Sequence, residues 1–189
     1  MRLERFPRST LRGDREIYRI HRATRDPRWF SADGLGRFDP VGTGLGACYF
    51  ADRPAGAWVE AFRKKMLVAE DEVRERLLYS VRLGHDLRLA DVTSRRALQF
   101  GITGSIGASE NYTASQAFAS EALAAGFAGV RYLVRHDPAQ KFFGYALFGH
   151  PTPAHSLPAP GGSTVDEPIP DSLVEQARRL FGYRVLPAP

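Results

Sequence analysis

The chain has a single cysteine, Cys48. That excludes an intrachain disulfide, and a zinc site would need other residue types to complete its ligand set. Cys48 stands between Ala47 and Tyr49 in an apolar run, where it reads as a small buried hydrophobe and not as a nucleophile. No apolar stretch approaches the roughly 18 residues of a membrane helix, and the segment from Met1 to Pro7 lacks the apolar core of a signal peptide. The expectation is a soluble, cytoplasmic protein with no membrane partner. Histidines number 5, and His21, His85, His136, His150 and His155 include no pair at metal-ligand spacing, so no metal site is expected. Familiar catalytic signatures are missing too: there is no Walker loop, no His-Glu-x-x-His and no Gly-x-Ser-x-Gly. The run Gly42 to Ala47 looks like a dinucleotide fingerprint only superficially, because it precedes a strand instead of following one.

What is present fits one domain with a short tail: 189 residues, of which 43% are hydrophobic. The net charge is +5, and arginine greatly outnumbers lysine. Such an excess suits an anionic ligand, whether nucleotide, nucleic acid or acidic partner. Direct nucleic-acid binding is disfavoured, since aromatics are not interleaved with basic residues and the arginines spread from Arg2 to Arg184.

Residues 1–15 read as an extended, arginine-bearing lead-in and 16–150 as the functional domain. Glu16–Arg22 is a strand by its density of β-branched and aromatic residues. A loop with Gly34, Gly36, Gly42, Gly44 and Gly46 follows, suited to close approach of backbone to a ligand. Ala47–Ala51 reads as a buried strand. Asp52 caps a helix over about 54–68, with Pro54 in its first turn and Trp58, Phe62 and Met66 along one face. Strands over 76–83 and 87–92 come next, then a short helix capped by Thr93 and a second glycine- and serine-rich loop, 101–111. Thr113 caps a helix that Gly126 stops, and strands at 130–134 and 143–148 meet through the Asp137-Pro138 turn. A proline-rich linker is expected over 151–170, then a helix over 171–181 opened by a Ser172/Glu175 capping box within a tail of 171–189. Short strands mixed with isolated helices predict an α+β fold: a compact mixed or antiparallel sheet with flanking helices.

One ordered set of residues can carry chemistry: Arg19 on the first strand, Arg37 in the glycine loop, Tyr49 on the next strand and Glu60 on the helix. Arginine forks hold a pyrophosphate bidentately, an aromatic ring stacks on a base, and a carboxylate binds ribose hydroxyls and stabilises oxocarbenium-like charge. The combination suits cleavage of an N-glycosidic bond in a nucleotide. Each residue also has an ordinary alternative, as ion-pair partner, core ring or solvated helix position.

These residues resemble the RES-domain family. The Tyr18-Arg19 segment, the loop from Gly36 through Arg37, Phe38 and Asp39 to Gly42, and Tyr49 followed by Glu60 resemble its pattern in order. So do Tyr112 to Gln116 and Gly129 to Phe148, and the resemblance covers about 16–149. It implies a fold akin to ADP-ribosyltransferases and NAD⁺ breakdown by phosphate or water, with NAD⁺ as substrate, inorganic phosphate as co-substrate and no prosthetic group. It also implies a toxin neutralised by an Xre-type antitoxin. On this basis Arg19, Arg37, Tyr49 and Glu60 are catalytic, and Tyr18, Gly36, Phe38, Gln116 and Arg135 bind substrate.

One position departs from the pattern. Val134 stands where the family's serine is expected, and valine cannot donate a hydrogen bond. Ser105, Ser109 and Ser115 are candidate substitutes. An ADP-ribosyltransferase, or a pocket that binds a nucleotide without cleaving it, is the alternative reading.

Overall fold

The computed structural model describes residues 3–63, 65–151 and 164–187. The fold is α+β: a mixed sheet of eight strands flanked by helices. In chain order these strands are β1 (Arg8–Leu11), β2 (Glu16–Arg22), β3 (Gly46–Ala51), β5 (Arg76–Arg82), β6 (Leu87–Asp91), β7 (Gly129–Leu133), β8 (Phe143–Gly149) and β9 (Val165–Pro168), while β4 (Leu67–Ala69) and β10 (Arg184–Leu186) form a separate parallel pair. The spatial order is β1-β6-β7-β8-β3-β2-β5-β9, and only β6 and β7 run parallel within it. The central strands β3, β7 and β8 are short apolar runs, as strands covered on both faces must be.

Helix α1 (Pro54–Phe62) packs Trp58 and Phe62 into one core cluster with Val68, Leu173, Ala177 and Tyr183. The Trp58 and Phe62 ring centroids lie 4.4 Å apart. Helix α2 (Glu70–Arg74) is a single turn leading into β5. A 3-10 helix (Arg95–Phe100), helix α3 (Ser105–Ala108) and helix α4 (Thr113–Ala124) cover β7 through Ala97, Ile106 and Phe118. Helix α5 (Asp171–Phe181) lies against α1 and ends at Gly182, whose φ of +77° is the left-handed conformation glycine allows.

Several local expectations need correction. The helix from Pro54 ends at Phe62, not near 68, because Arg63 leaves helical space with φ 51° and the chain then enters β4. Met66 is therefore outside the helix and 43% exposed. Asp52 does not cap it; its carboxylate accepts from the Phe143 amide at 3.0 Å and so ties the start of α1 to β8. Ser94, not Thr93, caps the 3-10 helix, and Asn111 rather than Thr113 holds the first turn of α4 by accepting from the Thr113 amide. The Ser172/Glu175 box does not form, and Glu175 pairs instead with Arg178.

The lead-in is not a loose extension. Leu3, Phe6 and Leu11 are buried, and β1 closes the sheet edge against β6. Of the expected linker, 152–163 lie outside the described residues. Val165–Pro168 instead form β9, and His21 reaches Asp166 at 2.8 Å across that edge. No helix among the described residues is long and apolar enough to cross a membrane.

Candidate active site

The first glycine-rich loop is drawn over the ends of β2 and β3 by a few buried polar groups. The Asp39 carboxylate, 1% exposed, accepts from the Gly36 amide at 2.8 Å and from the Tyr49 hydroxyl at 2.9 Å. Tyr49 in turn accepts from the Phe38 amide at 2.8 Å. Gln116 on α4 donates to the Gly34 and Gly36 carbonyls at 2.7 and 3.0 Å. A Cβ at position 36 would collide with Asp39 and the Tyr49 hydroxyl, so this turn needs glycine for close approach. Replacing Asp39 by alanine takes the acceptor away from the part-buried Gly36 amide and Tyr49 hydroxyl. We expect a loss of about 1–3 kcal/mol in urea unfolding, together with weaker ligand binding.

Under that loop lies a cleft of about 230 Å³. Arg19, Arg37, Tyr49 and Glu60 all line it, as do Tyr18, Gly36 and Arg135. Phe38 and Gln116 do not: Phe38 is fully buried beside Tyr132, and Gln116 spends its amide on the loop carbonyls. Both support the loop instead of lining the cleft. Arg37 enters the cleft from the loop, anchored by one terminal nitrogen that donates to the Ser109 carbonyl at 2.7 Å and the Ile106 carbonyl at 3.3 Å. Its guanidinium carbon sits 4.5 Å from the Tyr112 ring centroid. Burial lowers the Arg37 pKa from its ordinary value, so the site carries a cation stripped of much of its water.

Arg19 donates from one terminal nitrogen to the Cys48 sulfur at 2.6 Å, and its Nε is buried without a partner among the described residues. Cys48 is fully buried, and that burial pushes its thiol pKa up, as expected of a hydrophobe and not of a nucleophile. Glu60 is half-buried at the cleft wall. Burial raises its carboxyl above the ordinary range, partly opposed by Tyr132, Arg63 and Arg37. Tyr49 is pushed well up by burial, so its phenol stays neutral.

Sequence reasoning missed Asp39, Arg63, Tyr112, Tyr132 and His136 as parts of the site. Asp39 was legible as a turn-forming carboxylate three residues after Gly36. Arg63 was not, because only its φ of 51° turns it from helix to cleft. Beyond the cleft, a groove of about 320 Å³ shares Arg19, Ile20 and Ala61 with it and adds Arg22, Arg25, Arg76 and the 39% exposed Trp29. Arg76 is paired with Glu72 at 3.1 Å, whereas Arg22 and Arg25 have no ion-pair partner among the described residues.

Fold and cleft together define an α+β protein that presents arginines and one desolvated carboxylate under a glycine-rich loop. Residues 16–169 match the RES domain, and the chain belongs to the RES-domain family. Comparison of structures finds the crystal structure of the M. tuberculosis MbcT-MbcA toxin-antitoxin complex, with a TM-score of 0.64 and 20% sequence identity over 90% of this chain and 92% of that one. The likeness extends to the fold. A search of curated proteins finds no match.

Proposed function

We propose that the chain cleaves the nicotinamide N-glycosidic bond of NAD⁺, with phosphate or water taking up the ADP-ribose, and that it serves as the toxin of a toxin-antitoxin pair. The observation that carries this reading is the Glu60 carboxylate on the wall of a cleft that Arg19, Arg37 and Arg63 also line.

The chemistry follows from those groups. Guanidinium forks neutralise the diphosphate and fix the ribose beside Glu60. As the bond between the ribose C1 and the ring nitrogen stretches, the sugar gains oxocarbenium character and the pyridinium regains its electron pair. A carboxylate held in a low-dielectric wall favours that change more than it favours the ground state. Oxygen of phosphate, or of water as it releases a proton to solvent, then bonds to C1, giving ADP-ribose 1-phosphate or ADP-ribose together with neutral nicotinamide. The tyrosine rings of Tyr49 and Tyr132 offer apolar surface for the leaving ring. The neighbouring groove, with Arg22, Arg25 and Trp29, gives the adenosine end and its phosphates a basic and aromatic path.

The partner part of the reading rests on kinship. The related M. tuberculosis structure is a toxin-antitoxin complex, and the RES resemblance implies an antitoxin of Xre type. Both the NAD⁺ substrate and such a partner suit a protein of the cytoplasm.

The test is to incubate the protein with NAD⁺, with and without inorganic phosphate, and to follow free nicotinamide. Release is expected, and faster release with phosphate would identify phosphorolysis. No release above that of a Glu60→Ala variant would sink the cleavage reading. NAD⁺ binding by calorimetry without turnover would leave a pocket that only binds.

A further inference from the structure

Position 134, where the family resemblance expects a serine, is a valine 1% exposed and packed with Trp58 and Val59 in the core. The serines that could replace it do not reach the cleft. Ser115 donates its hydroxyl to the Tyr112 carbonyl, Ser105 shares a hydrogen bond with Thr103, and the Ser109 hydroxyl accepts from the Asn111 amide. None of the three lines the cleft.

Tyr132 does. It lies on β7, two residues before Val134 in the chain. It is 4% exposed, and its hydroxyl is a buried polar atom with no partner at ordinary hydrogen-bond geometry among the described residues. The ring is held in place by design of the sheet. Across the β7–β8 ladder its register partner is Gly144, where any Cβ would collide with the Tyr132 ring, and the Phe38 ring centroid lies 5.1 Å away on the other side. Phenylalanine would fill this space equally well. Packing therefore explains the ring and not the oxygen, and because an unsatisfied buried hydroxyl lowers stability, the oxygen calls for an explanation other than packing. Tyr132 and Glu60 line the same cleft, where the hydroxyl favours the ionised carboxylate although no well-formed bond joins the two.

We propose that Tyr132 is the positioning residue of this cleft: its hydroxyl donates to the Glu60 carboxylate and accepts from a ribose hydroxyl of the bound nucleotide, standing in for the hydroxyl that position 134 lacks. The inference rests on the NAD⁺-cleavage reading for its ligand. In the free protein the phenol already biases Glu60 without a fully formed bond, and the bound sugar completes its hydrogen bonding. Carboxylate and sugar are then fixed relative to each other before the bond breaks.

Tyr132→Phe tests it. The variant is expected to lose about 10- to 100-fold in kcat for nicotinamide release with a small change in KM, while its Tm stays level or rises because an unsatisfied polar atom has gone. The acid limb of the rate profile moves to higher pH, since Glu60 loses a group that favours its ionised form. Arg37 of the glycine loop and Arg63 beyond α1 still favour the ionised Glu60 in the variant, and Tyr49 of β3 remains coupled to it; Arg19 of β2, Tyr18, Tyr112, Arg135 and His136 line the same cleft in both proteins. A Tyr132→Phe protein with unchanged kcat and an unchanged acid limb would overturn the proposal. If the wild-type chain releases no nicotinamide, the cleavage reading fails by itself, and the Tyr132 proposal is judged by carbon-13 NMR titration of Glu60. An upward shift of that titration in Tyr132→Phe supports the pairing, and identical titrations in both proteins overturn it.

Discussion

Replacing Glu60 by glutamine is expected to slow nicotinamide release by about a thousandfold and, at neutral pH, to leave the protein more stable than wild type. The two effects share one cause. Glutamine keeps the shape of the side chain and its place on the wall of the cleft but carries no charge to oppose the positive charge developing on the ribose. The stability effect follows from the direction in which burial moves the carboxyl, upward from its ordinary value. Below the ordinary carboxylate range both folded and unfolded chains hold the proton, and the group contributes no penalty. As pH rises past that range the unfolded chain releases its proton while the fold retains it. Stability then falls until Glu60 ionises in the folded protein as well. The glutamine variant has no such slope. Thermal unfolding of the two proteins at acid and neutral pH should therefore show a Tm difference that opens toward neutral pH, in favour of the variant. Equal pH dependence in both would mean that Glu60 is not desolvated in the fold, and an unimpaired rate would remove it from the chemistry.

The sequence made some of this site readable because its signals are local. Strand β2 follows from a density of Ile17, Tyr18 and Ile20, and Gly126 and Gly182 end helices by the left-handed φ that their side-chain-free backbones permit. The order Arg19, Arg37, Tyr49, Glu60 was visible, and all four line one cleft. What stayed hidden depends on contacts between distant segments. The burial of β1 against β6 could not be read from a run rich in arginine, and β9 pairs with β5 through backbone groups that composition does not record. The end of α1 turns on one residue, Arg63, at φ 51°, where nothing local demands a break. Tyr132 illustrates the same limit from the other side. Its place in a core strand was legible, but the missing partner of its hydroxyl is a property of the space around it.

Lysine in place of Arg37 conserves the charge and is expected to be nearly as damaging as its removal, raising the KM for NAD⁺ by about a hundredfold. The guanidinium holds several positions at once. One nitrogen is committed to the Ile106 and Ser109 carbonyls, the flat face lies over Tyr112, and the group still borders the cleft. An ammonium is a single point of charge that cannot bind two carbonyls, stack on a ring and present a fork to phosphate oxygens together. It is also more strongly hydrated, so burying it in a place that already depresses the pKa of arginine costs more. Losing the carbonyl contacts frees α3 from the glycine loop, so kcat should fall as well as KM rise. Arg178→Lys, on the exposed face of α5 where the guanidinium meets only Glu175 among the described residues, provides the comparison and is expected to leave both constants within about twofold of wild type. Steady-state kinetics of the two variants separate a directional role for the guanidinium from a general dependence on positive charge. Were Arg37→Lys to bind NAD⁺ as well as Arg178→Lys does, the anion would have to be held elsewhere, and the arginines of the adjoining groove would be the next to substitute.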